Sequence, residues 1–252
     1  QYRYHNYPVN QLFGIQNGYP SFMEAQHQVN SVADAENYLA RLEKVKHKFS
    51  QELEGIRLRE EKGIIPPAFV IERVLDEMNN FVEQPVQENI LYSALAKKMS
   101  DSENFSADEQ QQLLAKAKSN IVTFVHPAYQ LLIDYFTQLQ AKATDDDGFW
   151  RLPDGDKAYA SALQFFTTTD YTPQYIHDVG LKEVARIQSE ILAILVAQGY
   201  DISQGFTAAI ESLAAQESFY YPDTDEGRAQ ILKDYQTILD EIDAGLDSAF
   251  RI

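Results

Sequence analysis

Residues 106–139 read SADEQQQLLAKAKSNIVTFVHPAYQLLIDYFTQL, and this stretch decides the fold. Leu113, Ala117, Ile121, Phe124, Ala128, Leu131, Tyr135 and Leu139 recur in steps of three and four, the period of one buried helix face. At its head, Ser106-Ala107-Asp108-Glu109 spells a capping box. The Ser106 hydroxyl takes up an orphan amide of the first turn while Glu109 reaches back. Pro127 falls inside the pattern. It lacks an N–H and its ring crowds the preceding turn, so the spacing predicts a kinked or split helix.

The same period continues on both sides. Over 32–59, Tyr38, Leu42, Val45, Phe49 and Ile56 mark one apolar face; Lys62-Gly63 fits a stop and Pro66-Pro67 a new start, with Phe69, Val70, Val74 and Met78 as the next stripe. Pro85 sets off a short helix over about 87–99. Further on, a helix over 157–166 ends at Thr167-Thr168-Thr169, and Thr172-Pro173 supplies an N-cap with proline at the first helical position. Ile176, Gly180, Val184, Ile187, Ile191 and Leu195 form that helix's stripe up to Gly199. Ile210, Leu213 and Ala214 suggest a shorter helix, and a last one over 224–249 carries Leu232, Tyr235, Leu239, Ile242 and Leu246. No alternating strand pattern of any length occurs. The expectation is an all-α fold, an irregular multi-helix bundle with long kinked helices and no substantial sheet. Residues 1–30, with Tyr2, Tyr4, Tyr7, Pro8, Gly14, Gly18, Tyr19 and Pro20, read as an irregular aromatic lead-in. Residues 31–252 read as one helical domain, with 144–156 as its seam.

Thirty-eight acidic against 21 basic residues give a net charge of −17. That excludes a basic stripe for nucleic acid and disfavours docking on anionic lipid. The absence of cysteine excludes disulfides, thiolate metal ligands and thiol nucleophiles. No apolar run approaches the roughly 20 residues of a membrane span, so no transmembrane segment is expected. The chain opens at Gln1 without an initiator methionine or a signal-peptide pattern, and reads as an excised or processed piece.

Candidate chemistry is sparse. His5, His27, His47, His126 and His177 are widely spaced, and no His-Glu dipeptide is present, so a zincin helix is absent. Asp145-Asp146-Asp147-Gly148 and Asp154-Gly155-Asp156 look like oxygen-ligand loops, but counting from Asp145 puts Trp150 sixth and Asp156 twelfth, which breaks the EF-hand pattern twice. Asp223-Thr224-Asp225-Glu226-Gly227 reads as a turn and helix start. There is no Gly-x-Ser-x-Gly elbow and no Gly-rich phosphate loop. Glu72 and Asp76 share a helix face and read as solvated. Trp150 and Arg151 could stack on and clamp a substrate; alternatively, Trp150 plugs the bundle end while Arg151 pairs with a nearby aspartate. His177 could cap its helix, pair with Glu183 or Asp178, or line a cleft.

Gly148-Phe149-Trp150-Arg151-Leu152-Pro153-Asp154-Gly155-Asp156, Thr167-Thr168-Thr169 and Thr172-Pro173-x-x-Ile176-His177-x-x-Gly180-Leu181-x-Glu183-Val184-x-Arg186-Ile187 together resemble a bacterial family, domain-of-unknown-function family eight-eight-five. Its members are often labelled lipoproteins or zinc metallopeptidases. Tyr38-Leu39-x-Arg41-Leu42 is similar to the family's early helix, and Glu226-Gly227-Arg228-Ala229 with Tyr235 to a later segment, so the resemblance runs from about residue 30 to the end. It implies a long α-helical metallohydrolase with a deep cleft, in which a zinc-bound water attacks a peptide or amide carbonyl. The metal helix, His-Glu followed closely by Pro-Gly-His, lies C-terminal to everything matched here. No zinc ligand or general base is therefore carried over, no cofactor is expected in this chain, and zinc is expected only in the full-length protein. The implied role is a non-catalytic scaffold and substrate-cleft wall, inactive alone, with Trp150, Arg151, Asp154 and His177 as cleft candidates. The implied partners are a peptide or small-molecule ligand and the C-terminal remainder of the parent chain. The implied location is the periplasm or cell envelope, with a lipid on an upstream cysteine. The alternative is an acidic helical binding or scaffold module of a bacterial lipoprotein with no catalytic role.

Overall fold

A computed structural model of the chain describes residues 2–250. Every regular element among them is helical, so the fold is all-α, as the periodicity predicts. Packing divides the chain into two compact units, Gln1–Asp170 and Tyr171–Ile252. The 144–156 segment lies inside the first unit.

The first unit is built around α2 (Val32–Glu61), a helix of 30 residues whose buried face carries Tyr38, Leu42, Val45, Phe49, Leu53 and Ile56. Ser31 caps it by accepting from the Asp34 amide at 3.2 Å, and the Asp34 carboxylate accepts from the Ser31 hydroxyl at 2.8 Å. Its far end turns on Gly63, whose φ of +74° is left-handed, with Ile64 N donating back to Arg59 O. Against α2 pack α5 (Ala107–Asn120) and α6 (His126–Gln140), and α3 (Ala68–Glu83) packs on α6. Phe49, Phe81 and Tyr129 meet at their centre, with the Phe81 and Tyr129 rings stacked 4.1 Å apart. Burying each such side chain contributes about 1.5–3 kcal/mol. The α4 helix (Ile90–Ser100) starts at buried Asn89, which accepts from Leu91 N and donates to Phe81 O.

The capping box at Ser106 forms in full. Pro127 does not split the helix into separate pieces. A five-residue π turn, Ile121–Val125, joins α5 to α6, with His126 N donating to Ile121 O. Pro127 thereby falls in the first turn of α6, directly after the π turn.

The lead-in holds more structure than its composition suggests. It contains α1 (Ile15–Ser21) and a π turn, Phe22–Gln26, with Val9, Gln16, Met23 and Val29 buried. Seven residues that include Gly18 and Pro20 are too few to show a helical period, which hid α1. The first unit ends with α7 (Gly155–Thr167), terminated by Thr168 in the left-handed region at φ +56°.

The second unit comprises α8 (Pro173–Ala197), α9 (Phe206–Ala214) and α10 (Asp225–Ala249). Thr172 and Thr224 cap α8 and α10 by accepting from Tyr175 N and Gly227 N, both at 3.1 Å. Leu195 and Ala209 are buried where α8 meets α9. The predicted stripes are in place but not covered: Val184 and Ile187 on α8, and Leu232, Tyr235, Leu239 and Ile242 on α10, are exposed.

Candidate functional site

Three of the four candidate residues sit on the connection between α6 and α7. Its start is held by Ala68 N donating to Thr144 O at 3.0 Å. A single 3-10 turn, Phe149–Arg151, is followed by buried Leu152, and Asp154 adopts a left-handed conformation at φ +52°. Glycine is required at position 155, because a Cβ there would lie 2.3 Å from Phe149 O. Pro153 rests on Gly63, its Cγ 3.3 Å from where a Cβ would stand, which locks the loop to the end of α2.

Arg151 is half-buried, and its guanidinium donates to Ile65 O and to the Tyr7 hydroxyl, the latter at 2.7 Å. It lies 6.0 Å from the Tyr7 ring centre. The expected aspartate is not its partner among the described residues; a backbone carbonyl and a tyrosine take that place. Burial pushes the Tyr7 hydroxyl up, and the Arg151 charge opposes the shift. His5 donates through Nε2 to Pro153 O at 2.7 Å. The aromatic lead-in is thus a strap across the 149–154 loop, a link that local sequence pattern does not encode.

Trp150 exposes 72% of its surface. Its ring folds over Gly148, where a Cβ would lie 1.9 Å from Cζ3. It is not a core plug of the first unit. Beside it a line of rings runs from Tyr2 through His5 and Phe149 to Tyr159, at centroid spacings of 5.2, 6.2 and 6.2 Å. Asp154 is exposed and pairs with Lys157 at 2.9 Å, a contact that steadies the first turn of α7 but adds little stability in water.

His177 belongs to the second unit and is exposed near the start of α8. Glu183 is engaged by Arg186 at 2.8 Å and Asp178 by Gln174 at 2.8 Å, so neither proposed partner is reserved for it. The other histidines are scattered: His27 and His126 lie in separate parts of the first unit and His47 is exposed beside Gln51.

These loops and helices are the ones that carried the family resemblance. The family described as "Bacterial protein of unknown function (DUF885)" matches residues 1–252. The chain belongs to this family. The match takes in the lead-in, extending the resemblance back from residue 30. This DUF885 chain is also similar to the crystal structure of a "putative lipoprotein" from Colwellia psychrerythraea, at 24% identity and a TM-score of 0.90. That likeness covers 98% of this chain and 42% of the other, so the chain spans less than half the length of that protein. At this identity the likeness concerns the fold. No curated protein sequence matches the chain.

For a zinc ion the donor set does not fit. Among the described residues, no group of three or more His, Asp or Glu side chains converges where it could hold a metal ion. The Asp145–Asp147 run is exposed. No helix among the described residues is long and apolar enough to cross a membrane.

Proposed function

We propose that this chain is the non-catalytic helical portion of a larger cell-envelope protein, where it forms scaffold and one wall of a substrate cleft. The observation that carries the reading is the uncovered apolar stripe of α10, with Leu232 72% and Tyr235 65% exposed, in line with Leu239 and Ile242. Apolar faces of that extent on an otherwise acidic helix call for a covering partner. The chain occupies 42% of the length of its structural neighbour, which supports the rest of a longer polypeptide as that cover.

In this reading the strapped 149–154 loop is rigid wall, with Trp150 and Asp154 facing ligand and Arg151 holding the loop in place. His177 plays the corresponding part in the second unit. Peptide hydrolysis, with its zinc ligands and general base, belongs to the remainder of the longer protein, and this chain supplies none of the donors. The lipoprotein description of the structural neighbour supports an upstream lipid and an envelope location in this reading.

The test compares hydrogen exchange of the 252-residue chain with that of the longer parent, together with zinc content and peptidase activity of both. The reading expects α8 and α10 to gain protection in the parent, with zinc and peptide cleavage confined to it. Equal exchange in the two proteins would remove the covering role. Protection without zinc or cleavage would leave the alternative, an acidic helical binding module of a lipoprotein.

A further inference from the structure

A cavity of about 720 Å3 opens between the π turn Phe22–Gln26 and α2, away from the 149–154 loop. Phe22 and Ala40 give it apolar wall, Gln26 and Asn37 give it amides, and Arg41 and Lys44 bring two cations to its edge. Its one lining carboxylate, Asp34, already accepts from Ser31 Oγ at 2.8 Å and Asn30 N at 3.1 Å. Neither Arg41 nor Lys44 forms an ion pair among the described residues, in a chain with 38 acidic side chains.

Arg41 is held in position. Its Nη1 donates to His27 Nδ1 at 2.6 Å, and its guanidinium lies 5.2 Å from the Phe22 ring centre. A guanidinium can only donate, so His27 Nδ1 is the acceptor and the ring proton sits on Nε2, which donates to Asp34 O at 3.2 Å. His27 is buried and neutral, and it aims the guanidinium without neutralising it. Lys98 fixes the other side of the turn by donating to Met23 O at 3.0 Å and His27 O at 2.6 Å. With Nη1 committed to His27, Nη2 and Nε remain as donors, the pair of an arginine fork that matches a carboxylate.

We propose that this cavity binds a small organic carboxylate: Arg41 grips the carboxylate, Lys44 adds charge, and Phe22 and Ala40 cover the apolar body. A π turn at a ligand site fits the wider use of such turns, which break helix regularity to aim side chains. The assignment is independent of the cleft reading, because its residues, 22–44, include none of the 149–154 loop and none of α8 or α10.

The test is an amide chemical-shift titration of the 252-residue chain with sodium benzoate, with benzamide as uncharged counterpart and inorganic phosphate as a second anion. Benzoate is expected to give saturable shifts centred on residues 22–44, with benzamide and phosphate weaker. Arg41→Gln should weaken benzoate about tenfold or more, as expected for loss of charge-assisted hydrogen bonds. Ala40→Leu, which fills the cavity from an exposed helix position and leaves Arg41 intact, should weaken it as well, each variant keeping the parent amide spectrum outside residues 22–44. No saturable shift with benzoate, benzoate affinity unchanged in both variants, equal binding of benzamide, or tighter binding of phosphate would each overturn the proposal.

Discussion

Arg151→Met is the sharpest test of the strap. The substitution keeps a long apolar stem but removes the donors to Ile65 O and the Tyr7 hydroxyl. Hydrogen bonds to a charged group contribute about 1.5–3 kcal/mol each, and the cation over the Tyr7 ring about 0.5–1 kcal/mol. Against that, Arg151 Nε is buried without a partner, and its removal relieves about 1–3 kcal/mol. The expected net loss is about 3 kcal/mol, which corresponds to roughly 6–12 °C in melting temperature for a unit of this size. Trp150 is the only tryptophan and sits next to the mutated residue, so its fluorescence follows the loop while far-ultraviolet dichroism follows the helices. The fluorescence transition should move down by that amount, and Arg151→Lys should recover only part of it, because a point charge cannot serve both acceptors. A fluorescence transition shifted by less than about 1 °C, well below that range, would refute the clamp and return Arg151 to the ligand-facing candidates.

Three other perturbations read different parts of the chain. Met78→Ala empties a fully buried site on α3 and should cost about 2–5 kcal/mol in denaturant titration, the range for large-to-small core changes; less than 1 kcal/mol would mean the core collapses around it. Thr168→Gly relieves a β-branched residue at φ +56° and should stabilise the first unit by about 1 kcal/mol, and a lower urea midpoint would contradict that. Burial holds His27 and His126 below the ordinary value of 6.5, with the Arg41 and Lys98 charges adding to the effect at His27. The unfolded chain therefore binds the extra protons first, so their contribution is full above about 6.5 and is lost as pH falls through the lowered values. The urea midpoint should then drop between pH 7.5 and 5.5 by more than in a His27→Gln, His126→Gln double variant, and identical pH profiles would rule out this linkage.

The helices were legible because their buried faces repeat every three or four residues, and the caps at Ser106 and Thr172 because a hydroxyl before an apolar run has one efficient use. The π turn before Pro127 was not, since a proline inside a helical pattern is equally compatible with a kink, a break or one extra residue. The partners of Arg151 were misread for a different reason. Three aspartates precede it in sequence, but the carbonyl and hydroxyl that hold it come from 86 and 144 residues away. Periodicity also gave the stripes of α8 and α10 without saying what covers them, because a helix face records that it is apolar and not what it meets.

The strap also bears on the order in which the chain is made. His5 and Tyr7 are made before their partners Pro153 and Arg151, which follow 148 and 144 residues later. The helices α2 to α6 find their partners among one another and can pack once α6 is made, whereas His5 and Tyr7 must wait until the 149–154 loop follows. The strap is therefore among the last contacts of the first unit to close, and until it does the helices are formed but not yet fastened to the 149–154 loop.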